Sequence, residues 1–145
     1  MARVFAFEGE NNVTLEWMPL DVRRKLDLSG IRLSQATWQA LALAERSALV
    51  ERAVEEVGDV ASYRALAIRL GGKVESSVPF DARPWSGEAA RDAVVGRARE
   101  LGIEVRAARW GELDDGARYA LFRLSDPKKS EEKLRAAVVE LGFGV

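Results

Sequence analysis

Apolar positions recur at helical spacing along most of the chain, and glycine and proline cut the pattern into blocks. Leu20, Val22, Leu26 and Leu28 stand among charges after Pro19, a residue suited to a first helical turn, and Ser29-Gly30 closes that block. Ser34 offers a side-chain cap to a helix holding Ala36, Trp38 and Leu41. Leu41, Leu49 and Val50 suit one stripe that no glycine or proline interrupts. Gly58-Asp59 reads as the close of one helix and the cap of the next, over about 60–70, which Gly71-Gly72 stops. Helices are also predicted from Glu88 to Leu101, with Gly102 as the stop, and near 130–141 after the turn Ser125-Asp126-Pro127. Only Val4-Phe5-Ala6-Phe7-Glu8 alternates, as an extended segment or edge strand, with Gly9 to Asn12 as a turn. Lys73 to Ser86 is irregular, and its Val78, Phe80 and Trp85 are too apolar for a free linker, so they are expected to pin it to the core.

The pattern is also written twice. Gly30-Ile31-x-Leu33-x-x-Ala36-x-Trp38-x-x-Leu41 returns 72 residues later as Gly102-Ile103-x-Val105-x-x-Ala108-x-Trp110-x-x-Leu113. The match runs on through Arg46, Ala48 and Leu49 onto Arg118, Ala120 and Leu121. Tyr63 to Gly71 aligns with Leu134 to Gly142 at an offset of 71. In the second copy Asp114-Asp115-Gly116 interrupts the stretch, so each copy is read as two short helices with a bend. Self-similarity at fixed offset signals one supersecondary unit used twice. The expectation is a mostly α fold: a single compact helical domain over 1–145, with a short extended N-terminal segment. Its two similar multi-helix halves, about 13–72 and 85–145, are joined by an irregular segment at about 73–86 and related by a pseudo-twofold axis.

Composition narrows the chemistry. The chain has 145 residues, a formal charge of −1, no Cys and no His. Residues 1–72 hold 9 basic and 10 acidic side chains, and 73–145 hold 13 of each. There is thus no basic excess of the kind nucleic-acid binders carry, and no nucleic-acid partner is expected. Without Cys or His, Cys/His zinc sites, thiolate catalysis and His-dependent triads are excluded, and the commonest base near neutral pH is missing. No cofactor is expected. No apolar run approaches the roughly 20 residues of a membrane span, and Met1-Ala2-Arg3 does not open a secretory leader, so the expected location is the cytoplasm.

Three constellations remain. Trp38 and Arg46, like Trp110 and Arg118, are eight residues apart. Across a bend the guanidinium could fold over the indole as a cation–π contact, cap carbonyls of the preceding helix, or take an oxyanion. Arg23, Arg24 and Lys25, with Asp27 after them, form the densest basic run on an amphipathic helix. It reads as a solvated face with local ion pairs, or as a patch for an oxyanion or a partner protein. Glu112, Asp114 and Asp115 lack calcium-loop spacing and read as helix capping, and Gly71-Gly72-Lys73 lacks the other residues of a phosphate loop. No catalytic signature is present.

The run Met18-Pro19-Leu20-Asp21-Val22-Arg23-Arg24-Lys25-Leu26-Asp27-Leu28-Ser29-Gly30-Ile31-Arg32-Leu33-Ser34, followed by Trp38, Leu41, Arg46 and Leu49, resembles the nitrate reductase-associated protein family. Phe5-x-Phe7-Glu8 is similar to the family's N-terminal start. Trp110-x-x-Leu113, Arg118-Tyr119-Ala120-Leu121 and Arg123-Leu124-Ser125 are similar to its C-terminal block. Two places depart: Arg52-Ala53-Val54-Glu55 stands where the family tends to carry Pro-Cys, and Lys128-Lys129 where it tends to carry a His. These mark a divergent member.

The family includes a cyanobacterial-type maturation factor. The resemblance therefore implies a non-catalytic accessory protein of assimilatory nitrate reductase, with that enzyme or its maturation machinery as partner. The work implied is contact during insertion of molybdenum cofactor or an iron–sulfur cluster. Arg23, Lys25 and Asp27 and the edges of the Trp38/Arg46 and Trp110/Arg118 units are the expected surface. A small oxyanion sensor using Arg46 and Arg118, and a ligand-free structural or oligomerisation module, stay open as alternatives.

Overall fold

Helix signals in the sequence become helices nearly everywhere they were read. The computed structural model describes residues 4–75 and 83–145. Val78 and Phe80, expected to anchor the middle segment, lie outside the described residues. The chain divides into two units, Met1–Ala82 and Arg83–Val145, each taken by itself below.

In the first unit a one-turn α1 (Glu10–Val13) precedes α2 (Leu20–Ser29), α3 (Gln35–Ala40), α4 (Leu43–Glu51) and α5 (Val57–Arg69). Two-residue strands β1 (Ile31–Arg32) and β2 (Lys73–Val74) pair antiparallel, Ile31 opposite Val74 and Arg32 opposite Lys73. Pro19 sits at the cap of α2, and Gly30 ends that helix with φ of 70°, the left-handed turn that glycine adopts without strain. Ser34 Oγ accepts the Thr37 N–H at 3.1 Å, the cap expected for α3. α2 packs on α5 and α4, burying Val22, Leu26 and Leu28 with Leu49, Tyr63 and Leu66.

The N-terminal segment is no strand. Ala6–Glu8 is a 3₁₀ turn. The cause is Glu8, whose buried carboxylate takes the Phe5 N–H at 3.0 Å and the Leu20 N–H at 2.8 Å and so curls the chain back. Phe5 and Phe7, whose alternation suggested a strand, instead stack with ring centres 5.0 Å apart. Nor do Gly9 to Asn12 form a plain turn, since α1 begins at Glu10. Gly58-Asp59 likewise lies inside the first turn of α5. The break before it falls nearer 52–56, where the Asp59 carboxylate accepts the Glu55 and Glu56 N–H groups at 3.1 Å each.

The second unit holds α6 (Glu88–Glu100), a 3₁₀ stretch at Ala107–Glu112, α7 (Asp115–Leu124) and α8 (Glu131–Glu140). Asp114 Oδ1 caps α7 on the Ala117 N–H at 2.8 Å, and Ser130 caps α8. A single bridge joins Val105 to Gly144. Val94, Ala98, Trp110, Tyr119, Leu121, Leu134 and Phe143 are buried. The sequence-predicted bend is present in both units, between α3 and α4 and between the 3₁₀ stretch and α7.

Candidate functional site

The Trp/Arg pairs form the same clasp in each unit. A short helix that stops at a bend leaves carbonyls without intrahelical partners. Arg46, one turn into α4, supplies the donors: Nε to the Trp38 carbonyl at 3.1 Å and a terminal nitrogen to the Gln39 carbonyl at 2.6 Å. Its other terminal nitrogen reaches the Leu15 carbonyl at 3.3 Å, which also accepts the Trp38 indole N–H at 2.9 Å. In the second unit Arg118 gives Nε to the Trp110 carbonyl at 3.1 Å and a terminal nitrogen to the Gly111 carbonyl at 3.2 Å. Its remaining nitrogen and the Trp110 indole meet on the Ser86 carbonyl, at 3.3 and 3.2 Å. Arg118 adds a bond to the Ser86 hydroxyl at 3.1 Å.

Of the roles open to these pairs, carbonyl capping is thus made by both arginines. In the second unit the guanidinium also lies 5.8 Å from the centre of the Trp110 ring, within cation–π range. The guanidinium forks that might take an oxyanion are directed at backbone carbonyls. The indoles of Trp38 and Trp110 are buried.

The basic run on α2 is not a solvated face. Asp21, Arg24 and Lys25 sit at i, i+3 and i+4, so all three project from one side of the helix, and all are buried. Arg24 Nε meets Asp21 Oδ1 at 2.9 Å, and Lys25 Nζ lies 3.3 Å from Asp21 Oδ2. Lys25 also donates to the Val50 carbonyl at 2.7 Å and stands 5.9 Å from the Tyr63 ring centre. Tyr63 donates its hydroxyl to the Leu49 carbonyl at 2.7 Å. Burial lowers the Lys25 ammonium below its usual range against the opposing pull of Asp21, and burial raises the Tyr63 hydroxyl. Two carbonyls of α4's last turn are thereby satisfied from α2 and α5. Lys25, at 2% exposure, offers no outer surface, whereas Arg23 and Asp27 are half-buried.

This network belongs to the first unit alone. At the 72-residue offset Asp21 becomes Ala93, Arg24 becomes Gly96 and Lys25 becomes Arg97, and Tyr63 becomes Leu134 at the offset of 71. Arg97 pairs instead with Glu100 at 3.1 Å. The acidic group separates into local tasks: Asp114 caps α7, and Asp115 accepts the Trp85 indole N–H at 2.9 Å and pairs with Arg83 at 3.2 Å. Leu15, Ser86 and Tyr63 were missed as partners. The one sequence signal for Tyr63 is a polar residue where the second copy has leucine.

What the described residues define is a mostly helical protein whose polar side chains serve backbone carbonyls, with no helix among them long and apolar enough to cross a membrane. The chain belongs to the conserved nitrate reductase-associated protein family, whose model matches residues 4–141. That family is associated with nitrate reductase by description, and no reaction is ascribed to it. Searches of the curated proteins and of the solved structures found no match.

Proposed function

We propose that this chain is a non-catalytic accessory protein of assimilatory nitrate reductase that assists the enzyme's maturation in the cytoplasm through protein–protein contact. The observation that carries this reading is the family match over 4–141, nearly the whole chain. The site geometry agrees with it: the arginines and the lysine that might have served chemistry are engaged with backbone carbonyls and with Asp21. Contact then falls to side chains on the outside. Arg23 and Asp27 on α2 are half-buried, and Trp17 and Leu43 are large apolar groups exposed to solvent.

We also read the two units, about 13–72 and 85–145, as one supersecondary unit used twice. The matched hydrogen bonds of Trp38/Arg46 and Trp110/Arg118 support this. So does a second match, in which Arg64 donates to the Ser29 carbonyl and Arg135 to the Leu101 carbonyl.

The test is deletion of the gene in its native host. Nitrate reductase activity should fall while the enzyme's transcript level stays constant, and tagged protein should recover nitrate reductase or a cofactor-insertion protein from the extract. Normal activity in the deletion strain would end the reading.

A further inference from the structure

Outside the clasp and the buried network, one cleft gathers two cations against which the described residues set only the exposed carboxylate of Glu75. It lies at the β1–β2 ribbon, has a volume of about 250 Å3 and is lined by Arg32, Ser34, Thr37, Gly71 and Lys73. Arg32 and Lys73 are directly opposite in the antiparallel register. Directly opposed residues share a face with Cβ atoms about 5 Å apart, and like charges there repel. The described residues relieve this poorly. Arg32 has Glu75 at 3.7 Å, with both side chains well exposed, a pairing worth little in water. The Lys73 ammonium makes no ion pair or hydrogen bond among the described residues.

Neutral donors complete the cleft. Ser34 Oγ gives its hydrogen to Thr37 Oγ1 at 2.9 Å, which leaves the Thr37 hydroxyl its own proton to donate. Gly71, at φ of 100°, forms the far wall, and a Cβ there would stand 3.0 Å from the Thr37 methyl. A side chain at 71 would therefore be strained twice, by its backbone and by Thr37.

We propose that this cleft binds a small free oxyanion, held between the Arg32 guanidinium and the Lys73 ammonium and accepting the Thr37 hydroxyl. The guanidinium fork suits two oxygens of one anion, and the ammonium and hydroxyl serve a third as point donors. Binding cancels the cross-strand repulsion, so the anion also tightens the ribbon against α5. The proposal is independent of the maturation reading: a chain that binds the anion could fail in the deletion test, and the converse.

The experiment is a two-dimensional amide NMR titration of the whole chain with nitrate, phosphate and acetate separately, at constant ionic strength set with chloride. At least one anion should give saturable shifts at the amides of Arg32, Ser34, Gly71 and Lys73. Lys73→Gln should weaken that binding about tenfold, the size of one charge-assisted hydrogen bond. Each of Arg32→Gln and Lys73→Gln removes the cross-strand repulsion at an exposed pair, so without anion the melting temperature should hold or rise slightly. Shifts that follow ionic strength alone, that survive in the Arg32→Gln/Lys73→Gln double variant, or that never saturate would overturn the proposal.

Discussion

Arg118 donates from Nε to the Trp110 carbonyl at 3.1 Å while its guanidinium lies 5.8 Å from the centre of the same residue's ring. One side chain thus fastens both the backbone and the indole of the residue eight positions before it. Arg46 repeats the backbone half of this on Trp38.

Removing either arginine strands carbonyls at a bend. Arg46→Ala or Arg118→Ala should cost about 2–3 kcal/mol of unfolding free energy, the range for lost hydrogen bonds to a charged donor at a half-buried site. Arg→Lys should recover less than half, because an ammonium cannot serve three divergent carbonyls as the planar fork does. Urea unfolding followed by tryptophan fluorescence measures both. A cost below about 0.5 kcal/mol for both alanine variants would show the clasp to be dispensable.

Lys25 and Tyr63 should pull the alkaline stability profile in opposite directions. Folding lowers the Lys25 value from 10.5, so in the window between the folded value and 10.5 the unfolded chain holds more protons and stability rises with pH. The Lys25 contribution is complete above 10.5 and is lost as pH falls through the folded value. Folding raises Tyr63 from 10.0, so its contribution is complete below that pH and is lost as pH climbs above it. Lys25→Met should abolish the rise, and Tyr63→Phe should flatten the fall at a cost of about 1 kcal/mol for the lost bond to Leu49. Unfolding free energies from pH 7 to 11 decide this. Profiles for both variants parallel to the wild type would contradict the assignment.

Gly72 carries the closest approach in the first unit. A Cβ there would stand 2.4 Å from Ile31 Cγ2 and 2.8 Å from the Ala67 carbonyl oxygen. The first of these is a side chain and can shift, but the second is backbone. Gly72→Ala should therefore destabilise by about 1–3 kcal/mol, as overpacking does. Gly58→Ala serves as the control, since nothing lies within 4 Å of a Cβ there and it sits in a helix, where alanine is favoured. Thermal melting of the pair should move Gly72→Ala down and Gly58→Ala level or up.

Local signals explain which parts of this structure were legible. Ser34, Gly30, Gly102 and Asp114 each act through the nearest backbone, and each does in three dimensions what its residue type suggests. The bend was read from Asp114-Asp115-Gly116, and because the two copies align without a gap it transferred to 42–44, where no breaker stands; the structure places it at Leu41 and Ala42. The family resemblance was legible for the same reason: its most specific run is α2 and the turn after it. What failed depended on distance. Glu8 curls the N-terminal segment only because Leu20 comes within reach, and no period-two pattern carries that information. The burial of Arg24 and Lys25 depends on α4 and α5 closing over α2. The spacing of Asp21, Arg24 and Lys25 did place all three on one face, but a charged face is ordinarily a wet one. Leu15 and Ser86 were invisible because they contribute a carbonyl, which every residue has.

Leu15 makes the largest demand on its own backbone. It holds φ at 65°, a conformation that side chains other than glycine rarely adopt, while its carbonyl receives both the Trp38 indole and Arg46. The opening stretch of the chain is thus a keystone rather than a tail: trimming or re-routing the first fifteen residues would loosen a corner between two helices that begin twenty and more positions further on.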